Sequence, residues 1–530
     1  MTDLPTGAEK ARRVRSMFDA IAGRYDLVNR LMTLGLDVGW RRTAVAELRL
    51  PGGALVADLA CGTGDLCTEL RTSGYRAVGF DFSRGMLEAA TTSAPLVQAD
   101  VLCLPLRDAS VDGATSGFAL RNVTDLGALF LGRAFDLLAA YRPGGFFLER
   151  RGVGVSGSGA ACEDGAVRLD EAASVAASLL RRVDRDRVDG AAPVAAGAFP
   201  FGGGPGRLVV PERAAIRTGA NDTWQLEIRS EETGLAERTA GRRFGRGAPH
   251  EAFTAMQLRA DPAPEAYGRA VAEATRRIRA GELRKVVLAR SLVVEAGREL
   301  DPTQLVWRLR AVDPGCFAFA VPAPGGRTLV GATPELLVAK RGREVTAGPL
   351  AGSAPRFGDP DRDRASAERL LASAKDREEH AVVVEAVAEV LGPRCEDLRY
   401  PTEPELLGTA NVWHLSTPFT GTLRPEVDSV LELVAALHPT PAVCGTPRDL
   451  ARAALAELEP FDRGLYAGPV GWVDAEGDGE WAIALRCAEV GDRTARLFAG
   501  AGIVADSVPE LELDETEAKF RALLDSLRWG

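Results

Sequence analysis

At 530 residues the chain exceeds what one hydrophobic core usually organises, so two or more domains are expected. It is 46% apolar and 26% charged, as globular proteins are, and its net charge of −10 argues against nucleic acid or an anionic membrane as main partner. No apolar run reaches the roughly 18 residues of a membrane span, so no transmembrane segment is expected. The opening Met1-Thr-Asp-Leu-Pro5 carries no apolar h-region, and eight cysteines form no Cys-x-x-Cys pair beside only four histidines. A zinc site is therefore not expected, and a reducing, cytoplasmic location is.

In chain order, residues 8–48 read as helices, with Val14, Phe18, Ile21 and Tyr25 forming an apolar stripe. A βα rhythm follows. Val56–Cys61 reads as a strand, Gly62-Thr63-Gly64 as a turn into a helix, and Ala77–Asp81 as a second strand. Leu96–Asp100 and residues 113–120 give two more, so a parallel sheet with helices on its faces is expected. Residues 144–260 read as short strands with glycine turns. Beyond them lie a helix at 264–281, strands at 284–293, 316–321 and 328–331, a helix at 302–311, and two long helices near 361–391 and 514–528.

The first chemical signal is the turn at Gly62, Thr63 and Gly64. It aims backbone N–H groups and a helix N-terminus past a strand end. Asp81 and Asp100 end the next two strands, where an acid can accept from a ribose. Together with Met17–Asp26, Asn29, Met32–Gly35, Trp40, Asp58–Asp65 and Phe118–Val123, this stretch resembles the demethylmenaquinone/ubiquinone-type C-methyltransferases. The resemblance implies S-adenosylmethionine at Gly62, Thr63, Gly64, Asp81, Asp100 and Val101, with a quinone ring as acceptor. It covers only about residues 10–133, and the family's last strands are missing from that stretch. A sheet so truncated leaves an unpaired edge and an open crevice. A partial, class I methyltransferase-like segment over residues 1–133 is expected, read as a remnant, a live methyltransferase, or a module that recruits menaquinone-pathway enzymes.

The second signal is spread over the rest. Side chains alternate along strand 284–293, so Lys285, Val287 and Ala289 share a face. A base there requires a lysine pKa lowered by burial or positive neighbours. Glu335 follows Thr333-Pro334 at a strand end, suited to a general acid or to a helix-start charge. Asp376 and Glu379 lie at offset three on one predicted helix. Glu512, Glu515, Thr516 and Lys519 lie at offsets 0, 3, 4 and 7 on another, hence on one face. Carboxylates from separate helices suit Mg²⁺, which takes oxygen ligands and keeps waters or substrate oxygens.

These pieces sit in order with Gly331–Glu335, Ala351–Ser353, Lys375–His380, His414–Ser416, His438–Ala442, Tyr466–Gly468, Ala484–Arg486 and Gly500–Val504. The set resembles the chorismate-utilising enzymes, most closely the isochorismate synthases, over about residues 134–528. The resemblance implies an isomerase (hydroxymutase) with Lys285 as base and Glu335 as acid. It implies Mg²⁺ on Glu379 and Glu515, with Asp376 and Glu512 in support. Chorismate, the expected small-molecule partner, would be held by His414, Arg486, Lys519 and the backbone at Gly500 and Gly502. Salicylate synthases also keep the lysine, so that alternative stays open, as does supply of menaquinone against siderophore pathways. The expected fold is an α+β domain over residues 134–530, with antiparallel sheets and helices around one cleft, preceded by the partial doubly wound α/β segment.

Overall fold

The computed structural model describes residues 50–99, 110–116, 137–183, 192–217, 223–228 and 256–528, with a few isolated positions from 41 to 48 and at 104. The chain divides into two compact units, residues 1–136 and 137–530. The predicted helices over 8–48 lie almost wholly outside the described residues. So do Asp100, Val101 and the Phe118–Val123 hexapeptide.

In the first unit, β1 (Leu55–Leu59), α1 (Asp65–Thr72), β2 (Arg76–Asp81), β3 (Leu96–Gln98) and β4 (Gly113–Thr115) form a parallel sheet in the order β3-β2-β1-β4. Burial of Val56, Leu66, Leu70 and Ala77 between sheet and helix holds it together. Parallel strands, helix and glycine turn follow the expected rhythm.

Among the described residues the second unit's strand pairs are antiparallel. Its largest sheet has eleven strands among the described residues, and four elements matter first: α2 (Leu137–Ala140), β5 (Phe146–Arg150), β6 (Lys285–Ala296) and β7 (Phe317–Ala323). Strand β5 pairs with β7, and β7 with β8 (Arg327–Thr333). A nine-stranded sheet and a three-stranded one complete the fold, the latter containing β9 (Leu350–Pro355). Next along the chain come α3 (Pro360–Ala372), α4 (Ala374–Leu391), β10 (Val412–Ser416), β11 (Cys487–Gly491), β12 (Thr494–Ile503) and α5 (Pro509–Arg528). Phe199, Phe317, Phe319, Phe419 and Trp481 are fully buried in one shared core. Each such side chain contributes roughly 1.5–3 kcal/mol by burial.

Two predicted helices need correction. The helix expected over 361–391 is two, α3 and α4, broken at Ser373. That residue leaves the helical region (φ −69, ψ 111) and its Oγ accepts from Asp376 N–H, which caps α4. The helix expected from 514 starts at Pro509, whose fixed φ and missing N–H suit a helix start. Glu512 therefore stands in the first turn of α5. Among the described residues, no helix is long and apolar enough to cross a membrane.

Candidate active site

Strand β6 pairs with β12 so that Val287 faces Gly502 and Ala289 faces Gly500. Two glycines there leave the sheet face open, and α4 and α5 bring side chains into the space. A Cβ on Gly502 would sit 2.1 Å from Glu379 Oε1 and 3.2 Å from Lys285 Cε, so only glycine leaves room for both. Lys285 is fully buried, and its Nζ lies 3.0 Å from Glu379 Oε1. One cavity is lined by Glu335, Glu379, His414, Arg486, Gly500, Gly502, Glu515 and Lys519. Lys285 stands directly behind it through Glu379.

Glu335 follows the end of β8, its N–H donating to Thr333 Oγ1 at 3.3 Å. Burial pushes its carboxyl up to about 8, although Lys285 and Lys519 pull it down. Its environment therefore favours the protonated form below that value. On α5, Lys519 Nζ donates to Glu515 Oε1 (2.7 Å) and to Gly500 O (2.9 Å), fixing the helix on β12. Ser353 Oγ also donates to Glu515 Oε1, at 2.9 Å. Burial alone would raise Glu515, but Lys519 and Ser353 more than offset it, and its carboxyl falls below the ordinary range.

Asp376 and Glu512 stand beside these groups, off the lining. Gly352, at φ +74, marks a bulge in β9, and a Cβ there would lie 3.0 Å from Asp376 Cβ. Glu512 Oε1 accepts from Lys375 Nζ at 2.7 Å. Its Oε2 makes no hydrogen bond of good geometry, although Ser507 is near enough to favour the charged form. Burial raises both Asp376 and Glu512, and repulsion from Glu515 adds to it in each. Among the described residues no three His, Cys, Asp or Glu side chains converge as a ready coordination sphere. Glu379 turns to Lys285, and Glu515 to Lys519 and Ser353. The donor set nevertheless fits a hard divalent cation: oxygen donors from two helices, with Glu515 repelling both Asp376 and Glu512 and Glu379 repelling Asp376.

At the other side of the cavity, Arg486 is held at φ +46 and Nη1 donates to Thr409 Oγ1 at 2.9 Å. Its Nη2 meets His414 Nε2. Burial first, then Arg486 and Lys519, hold His414 well below the ordinary histidine range, so the ring is neutral and accepts from Arg486. Sequence reasoning assigned no role to Ser353, Lys375 or the buried pair Glu459–Arg463. Arg463 Nη2 donates to Val287 O at 2.6 Å and Glu459 Oε1 accepts from Ala289 N–H at 2.8 Å, so the pair fixes the backbone of the strand bearing Lys285. Its one sequence signal was the i, i+4 spacing.

In the first unit, the two Asp81 carboxylate oxygens accept from Gly62 N–H and Ser83 N–H, each at 2.8 Å. Gly62 faces open space at φ +56, and Gly64, at φ +85, precedes α1, where a Cβ would lie 2.4 Å from Thr92 Cγ2. Thr63 is buried in the same turn, and its carbonyl accepts from Thr91 N–H. The turn fits close approach of a nucleoside-bearing ligand to the backbone.

Comparison with known proteins gives two family matches. Residues 215–528 match the family described as chorismate binding enzyme, and residues 6–148 match the ubiE/COQ5 methyltransferase family. Isochorismate synthase DhbC of Bacillus subtilis is 41% identical over 409 residues, spanning 74% of this chain and 96% of that protein. Isochorismate synthase EntC of Escherichia coli is 40% identical over 334 residues, 63% of this chain and 81% of that protein. The solved structure of MenF, the menaquinone-specific isochorismate synthase from Escherichia coli, superposes with a TM-score of 0.62 at 27% identity, covering 75% of this chain and 92% of that one.

Proposed function

Since this chain belongs to the chorismate binding enzyme family, we propose that it is an isochorismate synthase: it converts chorismate to isochorismate by adding water at C2 as the C4 hydroxyl leaves. The observation that carries the reading is one cavity lined by buried Glu335 and by carboxylates from two helices, Glu379 and Glu515, with buried Lys285 paired to Glu379. Lys285, paired with Glu379 at 3.0 Å, takes a proton from the incoming water. Glu335 gives its proton to the departing C4 oxygen, which leaves as water while the ring double bonds shift. One water enters and one departs, so the product is an isomer.

Glu379 and Glu515 would hold Mg²⁺, with Asp376 and Glu512 beside them. When bound, the cation would offset the charge of the ring carboxylate and orient it. Arg486 and Lys519 supply positive charge for the substrate's carboxylates. Neutral His414 orients Arg486, and the backbone at Gly500 and Gly502 lets the ring approach closely. Incubation of the purified protein with chorismate and Mg²⁺ tests the reading. Isochorismate as product supports it, while salicylate or anthranilate refutes it.

A second reading adds methyl transfer from S-adenosylmethionine by residues 1–133, supported by the match over residues 6–148 and by the turn at Gly62–Gly64. It also favours menaquinone over siderophore supply as the pathway served. Calorimetric titration with S-adenosylmethionine decides it, with Asp81→Ala as the control expected to lose binding.

A further inference from the structure

The acidic cluster holds more carboxylates than a catalytic cation needs. Asp376, Glu379, Glu512 and Glu515 carry four formal negative charges, and three lysines face them one to one: Lys285 on Glu379, Lys519 on Glu515 and Lys375 on Glu512. Lys519 has a second task, since it also ties α5 to Gly500. Among the described contacts of Lys375, by contrast, the ion pair is with Glu512 alone, at 2.7 Å, between the first turns of α4 and α5. Glu512 is only 1% exposed, whereas the Lys375 side chain is 34% exposed.

Glu512 stands three residues before Glu515 on the same helical stripe, a spacing that puts two side chains side by side. A cation on Glu515 is therefore within reach of Glu512. A small hard cation serves a carboxylate substrate only if it keeps positions for substrate oxygens and waters. A third inner carboxylate would fill one of those positions and neutralise the charge that draws the substrate.

We propose that Lys375 is a positioning residue: it holds Glu512 away from the cation, so that affinity for the metal is given up in exchange for open coordination positions and positive charge facing chorismate. This rests on the metal reading given under the proposed function. Removing the ammonium both frees Glu512 and deletes a repulsive charge near the metal, so metal binding should tighten while substrate binding weakens. Loss of a merely structural contact would weaken both.

The test is calorimetric titration of the full chain with Mg²⁺ alone, followed by steady-state kinetics with chorismate. Lys375→Met should bind Mg²⁺ about tenfold more tightly than the unmodified protein, with the KM for chorismate raised about tenfold. Lys375→Arg should keep both values, and adding Glu512→Gln to Lys375→Met should return the Mg²⁺ affinity to its original level. Unchanged or weaker Mg²⁺ binding by Lys375→Met overturns this inference alone. Absence of Mg²⁺ binding by the unmodified protein overturns both it and the metal reading.

Discussion

Glu335 shows how one position acquires its chemistry. Nothing in Thr333-Pro334-Glu335 distinguishes an acid catalyst from a charge at a strand end. The difference is burial: at 3% exposure the carboxyl is pushed up to about 8 against the opposing pull of two lysines. As the acid it must be protonated, so the active form predominates below that value and is lost as pH rises through it. The expected result is that kcat/KM for chorismate declines above about pH 8. In Glu335→Gln that limb should vanish and turnover should fall by roughly 10²–10⁴. Retention of the same alkaline limb in the variant would assign it to another group. Strand alternation puts Lys285 on one face with Val287 and Ala289, but its partnership with Glu379 was not legible. That contact depends on two elements separated by almost a hundred residues and on a glycine at 502.

Among the elements, the break between α3 and α4 is the instructive departure. The stretch 361–391 contains neither glycine nor proline, so its composition reads as one helix. Ser373 interrupts it as an N-cap, its hydroxyl accepting from Asp376 N–H. After the break, α4 carries Lys375, Asp376 and Glu379 in its first two turns. Ser373→Ala should destabilise the protein by about 1 kcal/mol, read as a lowered urea midpoint, and Ser373→Asp should restore most of it. The sequence could disclose the acidic spacing on each helix, because offsets of three and four are local. It could not disclose that the two stripes meet, nor that Ser353 and Lys375 hold them, because those contacts cross elements.

For the molecule as a whole, the junction between the two family matches is the informative region. The methyltransferase match runs to residue 148, yet the compact units divide at 136/137. Residues 137–150 form α2 and β5, with Leu137, Leu138, Tyr141 and Phe146 buried and β5 paired to β7. The turn Arg142-Pro-Gly-Gly145, which suits either family's pattern, thus precedes a strand of the larger antiparallel sheet. A protein starting at residue 137 should keep chorismate turnover near the full-length value. One starting at residue 151 loses β5 and should be insoluble or inactive, and equal behaviour of the two would contradict this account of the junction. The antiparallel α+β fold was legible because the motif blocks occur in order along the chain. The exact division was not, because a proline-glycine turn before an apolar strand carries no mark of which sheet will take it.

The central claim, that Lys285 activates water for attack at C2, is tested most directly by isotope. Turnover of chorismate with Mg²⁺ in H₂¹⁸O should place ¹⁸O in the C2 hydroxyl of the isochorismate formed, and Lys285→Ala should form no labelled product. Isochorismate whose C2 oxygen comes from the substrate, or labelled product made equally well by Lys285→Ala, would contradict it.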